Sequence, residues 1–211
     1  MTTAPSGDRG TVRTTTLPLF PLSTVLFPGG VLPLRIFEQR YIELAKRCLR
    51  DDRAFGVCLI SDGAEVMGPD RSVPAFAPIG TLARITDFDM PEPGILHLRT
   101  IGGTRFRVIA HRVEANGLVV GDTVPIADES ALPLPADCLP LAQLVELIAA
   151  RVGPANFPAE RRPGDASWIG YRLAEALPLP PPIRQSMLEI NDAGVRLQVL
   201  RRFLQQQGLV A

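Results

Sequence analysis

The stretch LPLFPLSTVLFPGGVLPLRIFEQRY, residues 17–41, organises the front of this 211-residue chain. Apolar side chains alternate loosely over residues 17–25, but two prolines interrupt the alternation. Because proline removes a backbone donor from a β ladder, this part predicts an edge strand or an extended arm. The letters FPGG at residues 27–30 predict a tight turn, since proline presets φ and glycine accepts positive φ. Residues 31–37 then predict a second strand.

A single amphipathic helix is predicted in the front half, over residues 38–50. Its apolar side chains recur at helical spacing and form one stripe, made by Tyr41, Leu44, Ala45, Cys48 and Leu49. Apolar runs predict further strands at residues 55–60, 79–88, 95–101, 105–114 and 118–126. Gly102-Gly103 and Asn116-Gly117 predict hairpin turns between the last three strands. Residues 61–78, rich in glycine and proline, predict a long loop.

The second half of the chain changes to helical periodicity after a proline-rich stretch. Apolar stripes predict four helices, with Asp165 or Ser167 as the N-cap of the second and Asp192 as the N-cap of the last. The sequence therefore predicts an α+β architecture. It divides into a disordered tail (residues 1–16), a β-rich part (17–127), a linker (128–140) and a helical part (141–211).

Composition argues against several classes of function. The formal net charge is zero, from 22 basic and 22 acidic residues, so no overall field favours nucleic acid or an anionic membrane. Three irregularly spaced cysteines, Cys48, Cys58 and Cys138, indicate neither a disulfide framework nor a zinc site. No apolar run approaches the length of a membrane span, and residues 1–16 lack the apolar core of a signal peptide. A cytoplasmic location is predicted.

Several blocks of the sequence, taken in order, resemble one known family. They are residues 17–41, 80–85 (GTLARI), 103–108 (GTRFRV), 173–179 (LAEALPL) and 183–192 (IRQSMLEIND). Together they resemble the N-terminal, substrate-binding domain of Lon-type proteases over about residues 17–204, here without the ATPase and protease domains. The resemblance implies a twisted, PUA-like β-pseudobarrel with one helix, followed by a C-terminal helical bundle. It also implies recognition of unfolded polypeptide.

The sequence carries no enzymatic motif. A P-loop needs a lysine after a glycine-rich loop, and Lon proteolysis needs a serine–lysine pair. Lys46 is the only lysine, and it lies on the amphipathic helix with no glycine before it. A Gly-x-Ser-x-Gly motif is also absent. We therefore predict no catalytic residue, no cofactor and no metal site, and we predict that the chain is not an enzyme.

The first functional hypothesis is a noncatalytic module that binds extended polypeptide or a protein partner, a separate protease included. Its candidate partner-binding residues are Arg35, Glu38, Arg40, Tyr41, Trp168 and Tyr171. A sheet edge near residues 17–22 would receive the peptide as an added strand. The structural alternative is that Glu38 caps or pairs, and that the aromatic side chains simply pack in the core. The oligomeric state stays open.

The second hypothesis is RNA binding through the PUA-like barrel. Its candidate residues are four arginines, Arg99, Arg105, Arg107 and Arg112, of which Arg105 and Arg107 share a face by strand alternation. The neutral charge and the shortage of aromatic side chains for base stacking make nucleic acid the weaker candidate. A third hypothesis, a small-molecule site, needs a pocket with convergent polar groups, and no residue set predicts one.

Overall fold

The computed structural model describes residues 14–65 and 73–209. It contains six strands, β1 (Thr15–Leu22), β2 (Val31–Ile36), β3 (Phe55–Asp62), β4 (Ala75–Glu92), β5 (Ile95–Val113) and β6 (Val119–Pro125). Helix α1 (Gln39–Asp51) lies between β2 and β3 in the chain. Four helices follow the strands, α2 (Leu139–Val152), α3 (Ala166–Ala176), α4 (Pro181–Glu189) and α5 (Ala193–Gln206). The predicted α+β class is confirmed.

Five of the strands close into a barrel. The sheet order is β2-β5-β4-β3-β1-β6, and an additional pairing of β5 with β6 closes β5, β4, β3, β1 and β6 into a ring. Strand β5 has 19 residues, so its first half pairs with β2 and its second half pairs with β6. Strand β2 is therefore attached to the barrel through β5 alone among the residues described.

The prediction that residues 17–22 form an edge strand of the sheet is wrong. Strand β1 lies inside the sheet, where residues 15–19 pair antiparallel with β6 and residues 19–22 pair parallel with β3. Pro18 lies in the first of these halves and Pro21 in the second. Each half is paired mainly on one side. A proline whose nitrogen faces the unpaired side therefore removes no hydrogen bond from the ladder.

Two loop predictions are also corrected. Gly102-Gly103 is not a turn, because β5 runs straight through it. Gly102 serves close packing instead: a Cβ there would lie 2.1 Å from the Phe27 carbonyl oxygen. The predicted loop at residues 61–78 is shorter in the structure, since β3 extends to Asp62 and β4 begins at Ala75. The Asn116-Gly117 turn is confirmed, with Gly117 at φ 84°.

The barrel and the helices share their largest hydrophobic cluster. It joins Phe27, Leu59 and Ile79 of the β-rich part to apolar residues of all four C-terminal helices. Two smaller clusters fill the barrel and its contact with α1. The predicted division into parts stays a prediction. Residues 15–16 of its tail lie in β1, and residues 1–13 lie outside the described chain.

The caps of two helices confirm the sequence analysis. The Asp165 carboxylate accepts hydrogen bonds from the Ser167 and Trp168 amides at the start of α3. The Asp192 carboxylate accepts one from the Val195 amide at the start of α5. Each side chain satisfies donors that the first turn of a helix leaves free.

Candidate functional site

Among the described residues, β2 has one unpaired edge, because β5 is its only partner strand. The Gly102 amide donates to the Gly30 carbonyl, and the same antiparallel register continues along β2 and β5. Since inward and outward backbone groups alternate along a strand, this bond fixes which β2 residues face β5. Leu32, Leu34 and Ile36 turn their N–H and C=O groups toward β5. The backbone groups of Val31, Pro33 and Arg35 consequently face the open side.

Pro33 lies at the centre of this open edge. It has no N–H, so the edge offers three carbonyls but only two amide donors, those of Val31 and Arg35. A proline at such a position is a common device for preventing unwanted pairing of exposed edges. The outward edge of β2 thus presents an incomplete set of backbone donors and has no paired strand within the described ranges.

A groove of about 270 Å³ runs beside this edge. Residues from β1, β2, the start of α1 and the segments around them line it: Phe20, Leu22, Thr24, Leu32, Pro33, Leu34, Arg35, Ile36, Phe37, Glu38, Tyr41 and Glu65. The rings of Phe20 and Tyr41 stack there with their centroids 3.8 Å apart. A cavity of about 150 Å³ is enough to hold benzene, so the groove has room for one large apolar side chain.

A buried arginine holds Tyr41 in place at the start of α1. The Arg40 guanidinium lies 4.4 Å from the centroid of the Tyr41 ring. It donates to the Gly117 carbonyl and pairs with Glu38 at 3.0 Å. Burial, opposed by the charge of Arg40 and reinforced by Glu38 and Glu65, raises the pKa of Tyr41 to about 12. Tyr41 is therefore neutral at physiological pH, and its nearly buried side chain, 3% exposed, forms the base of the groove.

Four of the six predicted partner-binding residues meet at this groove. Arg35, Glu38 and Tyr41 line it, and the side chain of Arg35 is 62% exposed. Arg40 is buried behind Tyr41, so it positions that ring and is not available to a ligand. The groove lies beside β2, whose outward edge is unpaired among the described residues, unlike the predicted edge at β1.

Trp168 and Tyr171 lie elsewhere and are only 3% and 5% exposed. The ring of Trp168 meets Phe157 edge to face at 6.0 Å, and Tyr171 packs beside Phe27. Both aromatic side chains therefore pack in the core, and neither offers an exposed anchor to a partner. They border a second cleft, of about 470 Å³, between the barrel and the helices.

The floor of that cleft is a buried ionic network centred on Glu129. Its carboxylate pairs with Arg196 and lies 3.5 Å from Arg105. It also accepts hydrogen bonds from the Tyr171 hydroxyl at 2.6 Å and the Ser167 hydroxyl at 2.8 Å. Burial alone would raise the pKa of Glu129, but hydrogen bonds from Arg196, Tyr171 and Ser167 and the charge of Arg196 hold it below its ordinary value. The Glu129 carboxylate thus has a hydrogen-bonding or ionic partner on every side given above, and the network connects the barrel to the helices.

The four arginines of the RNA hypothesis do not form one exposed surface. Arg105 is 3% exposed and donates to the Leu188 carbonyl, so the α4–α5 region covers it. Arg99 is half-buried and donates to the Pro154 carbonyl. Arg107 and Arg112 are exposed, and Arg112 lies 3.9 Å from Asp122. Arg105 and Arg107 therefore do not form a common exposed face, because Arg105 is buried.

A further cavity, of about 770 Å³, opens at the end of the barrel beside the last turn of α1. Its polar side chains include groups already bonded within the protein: the Thr123 hydroxyl donates to the Thr15 carbonyl, and the Thr16 hydroxyl donates to Asp122. Among the described residues, no group of three metal-ligating side chains occurs. No helix in the described ranges is long and apolar enough to cross a membrane.

The sequence of this chain matches a known domain family, and a solved structure similar to this fold has the same kind of domain. Residues 16–206 match the sequence model of the ATP-dependent protease La (LON) substrate-binding domain. The chain belongs to this family. A Lon N-terminal domain protein from Xanthomonas campestris has a similar structure, with a TM-score of 0.72, 41% identity, and coverage of 89% of this chain and 98% of that one. The resemblance on which the sequence analysis relied is confirmed.

Two curated relatives are much longer than the part of them that this chain matches. A Lon protease from Phenylobacterium zucineum (strain HLK1) is 28% identical over 222 residues, which are 96% of this chain and 26% of that protein. Protein cereblon from Xenopus tropicalis is 31% identical over 129 residues, 59% of this chain and 27% of that protein. The chain spans about a quarter of the length of these curated relatives.

Sequence reasoning missed several residues that shape this Lon domain. Alternation does not identify Phe20 and Leu34 as groove residues, because it reveals a buried face but not its neighbours across the sheet. Glu129 falls in the predicted linker, although it is the centre of the buried network. The available signal was a lone acidic pair, Asp128-Glu129, before a proline-rich stretch, which by itself indicates only a solvated turn.

Proposed function

We propose that this Lon substrate-binding domain binds extended polypeptide segments, which pair as an added strand with the open edge of β2. The observation that carries the proposal is an unpaired strand edge directly beside an apolar groove with a stacked Phe20–Tyr41 floor. Strand addition draws affinity from backbone hydrogen bonds and specificity from alternate side chains, and both elements are present here.

The binding mode follows from the geometry of the edge. The carbonyls of Val31, Pro33 and Arg35 accept hydrogen bonds from every second residue of the guest strand. The Val31 and Arg35 amides donate back. One large apolar side chain of the guest enters the groove between the more exposed Leu34 and Phe37, above the nearly buried rings of Phe20 and Tyr41, where its burial contributes about 1.5–3 kcal/mol. Backbone pairing tolerates many sequences, as recognition of unfolded chains requires.

Leu34→Asp is expected to weaken peptide binding at least tenfold, because it places a carboxylate in the apolar groove beside β2. The measurement is fluorescence anisotropy with a short labelled peptide of alternating apolar and polar residues. Single-stranded RNA of similar length serves as the parallel probe. Val195→Asp is the matched control, since Val195 is an exposed apolar residue on α5. Equal loss in both variants, or binding of RNA alone, would overturn the proposal.

Pro33→Ala is expected to tighten the same binding about 2- to 10-fold. The substitution restores the missing N–H at the centre of the open edge, and one added hydrogen bond contributes about 0.5–1.5 kcal/mol. The variant should also self-associate more readily, since a complete edge is a better template for pairing. Anisotropy and sedimentation together check both effects. Unchanged affinity for the peptide would place the guest strand away from β2.

The wider role of the domain follows from this binding mode. The described chain carries no catalytic motif, and its family is a noncatalytic domain, so we propose that the bound polypeptide is passed to another protein, a separate protease being one such partner. The three cysteines are free and buried, in keeping with the proposed cytoplasmic location.

A further inference from the structure

The ionisable side chains around the β2 groove are unevenly paired. Three charged residues line it: Arg35, Glu38 and Glu65. Arg35 lies 3.8 Å from Glu92 at the rim, and Glu38 pairs with the buried Arg40 at 3.0 Å. Glu65 has no cationic partner among the described residues. Within the described chain, Glu65 is therefore the one charged residue of the groove lining without an oppositely charged partner.

Hydrogen bonds hold the Glu65 carboxylate at the groove wall. It accepts from both the amide and the hydroxyl of Ser23, directly after β1. Its field reaches the Phe20–Tyr41 floor, since Glu65 is one of the charges that, after burial, raise the pKa of Tyr41. A carboxylate fixed in this way binds a cation with little further loss of side-chain freedom.

We propose that the groove selects extended segments in which a lysine or arginine accompanies the apolar side chain, with Glu65 as its partner. This inference rests on the proposed strand addition at β2. Lysine and arginine can lay their aliphatic stems along apolar surface while the charged end reaches a carboxylate. An acidic guest residue at the same place meets an unpaired like charge and is disfavoured.

The test uses three labelled peptides that differ at one position, which carries lysine, glutamine or glutamate. At low salt the lysine peptide should bind about 2- to 5-fold more tightly than the glutamine peptide, and the glutamate peptide more weakly. High salt should remove most of the difference, because exposed charges are screened. Glu65→Gln should abolish the lysine preference, since the amide carries no charge although its oxygen still accepts from Ser23.

The control is Glu160→Gln, whose side chain is 81% exposed and pairs with Arg162 at the other cleft. It should leave the lysine preference intact. Equal affinity for all three peptides would overturn this inference and leave the strand-addition proposal standing. A lysine preference that survives in Glu65→Gln would also overturn it. Failure of every peptide to bind would instead contradict the proposed function, and the inference with it.

Discussion

Glu129→Gln is expected to lower the free energy of unfolding by about 3–5 kcal/mol. The substitution preserves the size of the side chain but leaves Arg105 and Arg196 buried without a negative charge. Arg196 is fully buried, and its guanidinium lies 4.0 Å from the centroid of the Tyr171 ring. Breaking a buried ion pair by removing one partner is strongly destabilising because the remaining charges stay out of water.

Urea denaturation at neutral pH measures this effect, with Glu160→Gln as the control. That variant removes an exposed carboxylate and should change stability by less than about 0.5 kcal/mol. The pH dependence gives a second readout. Because folding lowers the pKa of Glu129, its contribution is present above the unfolded value of about 4.3 and is lost as pH falls through the lower folded value. A Glu129→Gln protein with normal stability would contradict the network's structural role.

Gly102→Ala is expected to destabilise the fold by about 1–3 kcal/mol. A Cβ at this position lies 2.1 Å from the Phe27 carbonyl oxygen, which is backbone and cannot rotate away. Two hydrogen bonds hold the turn at residues 27–30 against Gly102. The Gly29 amide donates to the Gly102 carbonyl, and the Gly102 amide donates to the Gly30 carbonyl. The turn must therefore shift, and β2 would move with it.

The neighbouring glycine is a matched control for this change. A Cβ at Gly103 meets its nearest neighbour, Leu82, at 3.6 Å, an ordinary contact distance. Gly103→Ala should be neutral or slightly stabilising, since alanine loses less conformational freedom than glycine on folding. Thermal and urea unfolding of the two variants should separate them clearly. Equal effects at both positions would mean that the approach of Phe27 does not determine the need for glycine at Gly102.

Local signals in the sequence were sufficient for most elements of the fold. The stripe containing Tyr41 and Cys48 predicted α1, and Asp165 and Asp192 predicted the starts of two helices. Each of these signals acts within one or two turns of chain. The family resemblance supplied the barrel, because no periodicity in the strands alone indicates that β5 and β6 close the sheet.

The errors share a physical cause, which is pairing between distant segments. Pro18 and Pro21 suggested a free edge, but β1 changes its neighbour from β6 to β3 along its length. The glycines at 102–103 suggested a turn, but their small size serves the close approach of Phe27. Arg105 appeared exposed by alternation until the α4–α5 region covered it. These arrangements depend on tertiary context that alternation does not encode.

The candidate site shows the same limit. The sequence predicts Arg35, Glu38, Arg40 and Tyr41 as partner-binding residues. They are close in the chain and remain close in the fold. The sequence could not join them to Glu65 or separate them from Trp168 and Tyr171. The unpaired side of β2 could be recognised only from the full order of strands, in which β5 is its one partner among the described residues.

The most direct test of strand addition at β2 is an N-methyl scan of a bound peptide. Each backbone N–H is methylated in turn, and affinity is measured by anisotropy. Methylation at every second residue should weaken binding about tenfold or more, because those amides donate to the Val31, Pro33 and Arg35 carbonyls. The residues between them should tolerate methylation. A period of two confirms pairing with the strand edge, whereas uniform sensitivity, or none, would contradict it.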